Sequence, residues 1–366
     1  MTKLWWEQSK AVIRVEMKKT FFARRGLWIY ILALLPLLLF IAHAVITSHD
    51  RARTAEIAHR GERRLTYQDL ESVTAGMTNK EVVARLGKPP VDFHWNEPRQ
   101  LDSGEVEDVS HESYHYSDGT NDLFVEFTGD KVDDIRIAQG NNISEDSMVF
   151  AGVFQFFYLR LAIFFGCLGI FMNLFRGEIL DKSLHFYFLA PIRREVLMVG
   201  KFLAGLLATC TIFVTSEVLQ LVVFNWQYNS NVRDIYLYQN HGLEHAVAYL
   251  GVTILACVGY GAFFLAAGIL FKNPILPAAA ILLWEAANPF LPALLKKFSV
   301  IYYLKSLCPV DIPSPPGTPP LLSLLVSNPD PVSAPVAILG ILFVTLLVLY
   351  LSSINIKQME INYTTE

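Results

Sequence analysis

Charged side chains are scarce in this chain of 366 residues, of which Asp, Glu, Lys and Arg make up 17%. A soluble domain carries about 25%. Hydrophobic residues make up 53%, and several apolar runs reach the length of about 20 residues that a helix needs to cross a bilayer. The composition therefore predicts an all-α polytopic membrane protein.

Sequence signatures of catalysis and of metal binding are also missing. The four cysteines have no CxxC spacing, so they support neither a metal site nor a disulfide framework. There is no G-x-x-x-x-G-K-[ST] phosphate loop, and no HExxH, Ser/His or paired-Asp pattern of an intramembrane protease. His94, His111 and His115 lack a ligand spacing. We expect a chain that is not an enzyme and that holds no metal and no cofactor of its own.

The apolar runs predict six transmembrane helices, at 27–46, 149–174, 197–224, 244–271, 275–294 and 334–354. The first run has no cleavage site after it and is interpreted as a retained anchor. Residues 1–26 mix basic and aromatic side chains, which favours an amphipathic helix lying in the membrane interface over an ordinary basic flank. Prolines predict an extended segment within 295–333, and 355–366 is a tail.

The distribution of basic residues predicts the orientation. With the N-terminus inside, the inner segments hold 14 Lys and Arg, and the short outer segments hold four. Both termini, and the loop at 175–196, are therefore expected in the cytoplasm of a bacterial cell. Residues 47–147 are expected in the periplasm.

The region from Asp50 to Asp146 differs from the rest in its charge. It contains 11 Lys and Arg against 21 Asp and Glu, whereas the whole chain has a net charge of −4. An acidic soluble domain is therefore inserted between the first two spans, and nucleic acid is not expected as a partner. The pattern predicts two short helices and then strands, with Thr78 and Glu81 forming a capping box and Gly87 ending the second helix.

This inserted region resembles a known small domain. The string GMTNKEVVARLGKP, then a Tyr-rich strand and an LFVEF–turn–KVDDIRI hairpin, is similar to the SmpA/OmlA-type lipoprotein domain of the outer-membrane β-barrel assembly machinery. The lipidated cysteine of those proteins is absent here. The resemblance implies a periplasmic α+β module that binds or scaffolds a partner protein.

The loop between the second and third spans is too apolar for a segment exposed only to water. Leu184, Phe186, Tyr187 and Phe188 follow a charged turn, and such a patch usually marks a partner or a membrane surface. The loop is similar to the coupling helix of type-2 ABC exporter permeases, in which a G-E-x-x-D-x-[ST]-L run precedes Ala-Pro-x-x-Arg and Gly-Lys. The matching positions are Gly177, Glu178, Asp181, Ser183, Leu184, Ala190, Pro191, Arg194, Gly200 and Lys201.

The resemblance covers 1–48 and 149–356, and it implies a mechanism. Two permease copies, identical or related, would pair in the bacterial inner membrane, and the coupling helix at 177–191 would dock in a groove of a separate cytosolic ATPase. That partner would bind ATP and Mg. The contact residues would be Gly177, Glu178, Asp181, Ser183, Leu184, Phe186, Pro191 and Arg194, and the segment after 284 resembles the family's re-entrant hairpin.

Two charged residues are predicted near the middle of the bilayer. Arg160 lies in the second span and Glu285 in the fifth, and charges at that depth are usually paired. An Arg160–Glu285 ion pair is the first hypothesis, contact with a polar substrate is the second, and otherwise each residue has other polar partners.

Two functions remain open from the sequence. The first is the permease subunit of an ATP-driven exporter. The second is an envelope scaffold, or a transmitter of ATP-driven motion, whose periplasmic domain acts on a partner protein without moving a solute.

Overall fold

The computed structural model describes residues 2–22, 26–100, 106–139, 143–180, 183, 187, 189, 192–271, 275–312 and 331–357. The chain divides into two units. A helical unit comprises 1–40, 146–226 and 230–366, and a sheet unit comprises 41–145 and 227–229.

The secondary structure is mostly helical, with one block of four strands. In chain order the elements are α1 (Thr2–Phe22), α2 (Leu27–Arg60), α3 (Tyr67–Glu71), α4 (Asn79–Leu86), β1 (Val91–Gln100), β2 (Val106–Ser117), β3 (Asn121–Thr128), β4 (Lys131–Gln139), α5 (Ile143–Gly152), a π-helical segment (Val153–Ile163), α6 (Phe164–Leu180), α7 (Arg194–Trp226), α8 (Ser230–Gln239), α9 (Gly242–Leu270), α10 (Ile275–Ala287), a 3₁₀ turn (Asn288–Phe290), α11 (Ala293–Lys296), α12 (Val300–Leu307) and α13 (Ala334–Lys357).

Five helices of the described chain are long and apolar enough to cross a membrane. They are α2, the continuous stretch Ile143–Ile179, α7, α9 and α13. These five coincide with five of the six predicted spans and confirm a multi-pass membrane protein. The first is longer than predicted, because α2 continues as one helix to Arg60.

The sixth predicted span, at 275–294, is not among these five helices of the described chain. In that range α10 has 13 residues, or about 20 Å at 1.5 Å per residue, which is shorter than a hydrocarbon core of about 30 Å. Asn288 and Pro289 then turn the chain into a 3₁₀ turn and two short helices. In α12 the apolar residues Val300, Ile301 and Leu304 are buried, whereas Phe290, Leu294 and Phe298 in the irregular stretch before it are exposed.

The helical bundle is held by aromatic side chains seated on glycines. Phe171 of α6 lies against α7 and α9, where a Cβ added to Gly205 or Gly261 would lie 2.7 or 2.5 Å from its ring. Small residues allow membrane helices to approach closely where hydrophobic burial cannot drive association. The three helices therefore pack around this one ring.

The sheet unit is an antiparallel meander in the order β1-β2-β3-β4. Its core lies between one face of the sheet and α3 and α4, and contains Leu70, Val73, Val82, Leu86, Tyr114, Tyr116, Leu123, Val125, Phe127 and Val132. Alternate residues of β3 are buried, as expected for a strand with one face on a core. The sequence missed β1, since VDFHWNEPRQ contains a proline and lacks clean alternation.

The predicted start of α4 is confirmed. The Thr78 hydroxyl accepts from the Glu81 N–H, and the Glu81 carboxylate accepts from the Thr78 N–H at 2.8 Å, which completes the capping box. Gly87 ends the helix as predicted, and it does so with φ +87° and ψ −178°. A second capping box lies at the start of α3, between Thr66 and Asp69. It was not predicted from the sequence.

Thr78→Ala is expected to destabilise α4 by about 1 kcal/mol, because it removes an N-cap acceptor.

Hydrogen bonds from the Thr78 N–H and hydroxyl hold the pKa of Glu81 below its ordinary value. The stabilisation from Glu81 is therefore present above that ordinary value, and it is lost as the pH falls through the pKa of the folded state.

Hydrogen exchange of the α4 amides in the intact protein measures the destabilisation that Thr78→Ala causes. Lys80→Ala, an exposed change on the same helix, is the control and should leave exchange almost unchanged. Equal protection in the Thr78→Ala variant and the parent would contradict the assigned role of the cap.

Candidate functional site

A lysine fully buried in the helical unit is the centre of the candidate site. Lys201 lies two turns into α7 and has no exposed surface. Its ammonium donates to Glu16 Oε1 at 2.6 Å, to Glu178 Oε2 at 2.7 Å and to the carbonyl oxygen of Leu174 at 2.8 Å. All three protons of the ammonium are thereby used, which is what a buried lysine requires.

The first carboxylate comes from α1, which packs along α7. Gly200 makes the close approach possible, since a Cβ at this position would lie 3.1 Å from two carbons of Val12. Val12 and Glu16 are buried and are one turn apart on the same face of α1. This face therefore presents an apolar contact and then a carboxylate to α7.

Two further side chains complete the cluster. Lys19 of α1 donates to Glu178 Oε1 at 2.9 Å and to the hydroxyl of Tyr187 at 3.2 Å. The Tyr187 hydroxyl donates to Glu16 Oε1 at 3.2 Å, and its ring centre lies 4.8 Å from the Lys201 ammonium. We call Glu16, Lys19, Glu178, Tyr187 and Lys201 the ion cluster.

The charges of the ion cluster shift the ionisation of its members outside the spans. Burial raises the pKa of Glu16, against the lowering effect of Lys201. Burial alone would lower the pKa of Lys19, but its hydrogen bonds to Glu178 and Tyr187 outweigh that effect and raise it. Burial and the two carboxylates raise the pKa of Tyr187 to about 12. Lys19 and Tyr187 therefore stay protonated at neutral pH.

A cleft of about 470 Å³ opens beside the ion cluster. Glu16, Lys19 and Glu178 form its polar wall, and Ile29, Ile170 and Leu174 are among the apolar residues that line it. Part of the ion cluster is therefore accessible to a polar group, although Lys201 is not.

The structure brings some of the predicted coupling residues together. Gly177 and Ser183 line the cleft with Glu178, and the Ser183 N–H donates to the Glu178 carbonyl oxygen at 2.9 Å, which closes the turn at the end of α6. Arg194 lies elsewhere and donates to the carbonyl oxygens of Ile356 and Lys357, at the end of α13. The remaining predicted contacts lie outside the described residues, namely Asp181, Leu184, Phe186 and Pro191.

The carboxylate of Glu285 is bound at the start of α12. Its carboxylate accepts from the Val300 N–H at 3.0 Å, the Ile301 N–H at 2.8 Å and the Ser299 hydroxyl at 3.0 Å. A negative charge at the start of α12 is favoured by the helix dipole. The guanidinium of Arg160 lies 5.4 Å from the ring centre of Phe156. The Arg160–Glu285 pair stays a prediction.

Sequence reasoning missed the ion cluster because its members lie far apart in the chain. Glu16 and Lys201 are separated by 185 positions, and Glu16 stands within a basic segment, where a single carboxylate does not indicate a site. One signal was available. Lys201 lies inside a span, and a charge at that depth needs a counter-charge.

The described residues contain no group of three or more His, Cys, Asp or Glu arranged to hold a metal ion. The lysines and carboxylates of the ion cluster instead form a closed set of ion pairs. Such a set can join helices and change its pairing when they move.

The chain was compared with known proteins. It matches no protein-family model, no curated protein and no solved structure.

Lys201→Met is expected to destabilise the helical unit by about 3–5 kcal/mol, because it leaves Glu16 and Glu178 buried without their shared cation. The measurement is thermal unfolding of the purified chain in detergent. A second variant that also carries Glu16→Gln and Glu178→Gln should recover most of the loss, since it buries no uncompensated charge.

Lys357→Met is the matched control. It removes a half-exposed pair with Glu195, and exposed pairs contribute at most about 1 kcal/mol. Equal destabilisation by Lys357→Met and Lys201→Met would show that the buried ion pairs of Lys201 contribute no more to stability than an exposed pair.

Proposed function

We propose that this chain is the membrane subunit of an ATP-driven exporter, and that a separate cytosolic ATPase of the ABC class docks on the loop at 177–191. The observation that carries the proposal is the ion cluster. It ties that loop, through Tyr187 and Glu178, to α1 and to the third span in a single set of hydrogen bonds.

The position of the ion cluster suits the transmission of movement. Glu178 lies where the second span ends and the loop begins, and Lys201 lies just inside the third span. A displacement of Tyr187 acts on Glu16 and Lys19 through hydrogen bonds rather than through loose packing. Movement of the loop by a partner would therefore reach both spans and α1 together.

The apolar residues of the loop supply the docking surface in this proposal. Leu189 is 78% exposed, and the sequence around it is dense in aromatic residues. An exposed leucine within an apolar stretch of sequence fits a groove on a protein partner. Because the chain has no phosphate loop, that partner supplies ATP binding and hydrolysis.

Docking is tested by co-purification with the cytosolic ABC ATPase that this proposal requires. Leu184→Asp with Phe186→Asp is expected to abolish co-purification, since two carboxylates would enter an apolar groove. Tyr238→Asp, a change at a residue that is 77% exposed on α8, is the control and should leave it intact. Retention of the ATPase by the loop variant would refute the docking site.

Coupling is tested separately from docking. Tyr187→Phe removes the hydroxyl that joins the loop to Glu16 and Lys19 but keeps the ring. We expect this variant to retain the ATPase and to lose most of the stimulation of ATP hydrolysis that the membrane subunit gives. Normal stimulation by Tyr187→Phe would exclude the ion cluster from the coupling path.

A second function, transmission of motion to a periplasmic partner, is favoured by one surface of the sheet unit. Phe93 is 60% exposed and Trp95 is 42% exposed, both on the edge strand β1. Aromatic residues on a sheet edge are suited to pairing with a partner strand. If the chain transmits motion, Phe93→Ser with Trp95→Ser should abolish the cellular function that depends on the periplasmic partner. ATP hydrolysis by the complex should stay normal.

A further inference from the structure

Two transmembrane helices present polar residues to each other in the interior of the helical unit. Glu217 and Gln220 are three positions apart on α7, and Tyr249 and Thr253 are four positions apart on α9, so each pair shares a helix face. The two helices pack together. All four side chains are buried, and Glu217, Gln220 and Thr253 have no exposed surface. We call these four residues the polar stripe.

The polar stripe has more hydrogen-bonding capacity than the described protein uses. Neither carboxyl oxygen of Glu217 accepts a hydrogen bond from a described residue, and the same holds for Gln220 Oε1, the Tyr249 hydroxyl and the Thr253 hydroxyl. Most buried polar groups in proteins are hydrogen-bonded. Five such atoms on facing helices therefore indicate a place for a small polar guest.

The same two faces continue to the end of the bundle where α7 ends and α9 begins. Asn225 lies eight residues beyond Glu217, or about 12 Å along the helix, and His245 lies one turn before Tyr249. Asn225, His245 and Tyr249 line a cavity of about 10 Å³, close to the space that one water molecule needs. Asn225 Oδ1 and His245 Nδ1 are also buried without a partner among the described residues.

An ionised Glu217 would be unfavourable in these surroundings. Among the described residues, the titratable groups that interact with its charge are Tyr158 from the second span, Tyr249 from α9 and Cys308 after α12. All three are neutral acids at physiological pH and provide no positive charge. A buried carboxylate with neither a cation nor a hydrogen-bond donor strongly favours its neutral form.

We propose that Glu217 is a proton-binding site, reached by water along the polar stripe from the end of the bundle that carries Asn225 and His245. In the binding step an O–H bond forms on a Glu217 oxygen, and one O–H bond of a hydronium ion breaks to leave water. Release reverses the step. With the predicted orientation, the protons come from the periplasmic side. This site does not depend on the ATPase partner or on the loop at 177–191.

Infrared spectroscopy of the intact purified chain in lipid nanodiscs tests the protonation. At neutral pH, the difference spectrum between the parent and Glu217→Gln should show the carbonyl stretch of one neutral carboxylic acid. Glu244→Gln, at an exposed glutamate of α9, should leave that stretch in place. Loss of ionised-carboxylate bands on Glu217→Gln would overturn the proposal.

A second variant keeps the carboxyl group and so does not depend on the folding of Glu217→Gln. Thr253→Val removes a hydroxyl of the polar stripe, and it should shift the frequency of the same carbonyl band. An unshifted band would show that Thr253 does not influence the Glu217 carboxyl group. It would contradict the polar stripe as the binding environment.

The route and the occupant have their own tests. Asn225→Leu should slow the deuterium shift of the band in heavy water by an order of magnitude or more, whereas Asn355→Leu, at an exposed asparagine of α13, should not. Equal exchange rates would refute entry past Asn225. Loss of the band on adding NaCl or KCl at constant pH would show that a monovalent cation occupies the site instead of a proton.

Discussion

The helical unit depends on a buried ammonium that two carboxylates share. Lys201 has no contact with solvent, and Glu16 and Glu178 hold it from two different helices. Removing such groups from water costs several kcal/mol for each ion, which only a complete set of partners offsets. Lys19 contributes the second positive charge, so the four charges balance. The site therefore requires α1, the second span and the third span to be in place together.

Two other buried glutamates show that the surroundings decide what a carboxyl group does. Glu285 receives three hydrogen bonds from the start of α12 and anchors a hairpin. Glu217 receives none from the described residues. Both lie in apolar stretches of the sequence and look alike there. The hydrogen bonds of Glu285 explain its burial, whereas Glu217 has hydrogen-bonding capacity that the described residues do not use.

The predictions that the structure confirms came from local patterns in the sequence. Run length located five helices able to cross a membrane, and the Thr78–Glu81 spacing located the start of α4. The helix at 275–294 is shorter than its apolar run for a physical reason. Hydropathy counts apolar residues without regard to helix breakers, and the 3₁₀ turn at Asn288–Phe290 follows α10 directly after Ala287. The ion cluster was beyond such reasoning, because its partners meet only after the helices have packed.

The cap on α12 also bears on the order in which the chain can assemble. Glu285 and the three groups that bind it lie within 17 consecutive residues, and Asn288 reaches the Lys296 carbonyl oxygen inside the same stretch. None of these hydrogen bonds comes from α13. During synthesis the segment from α10 to α12 can therefore form them before the last helix has been translated.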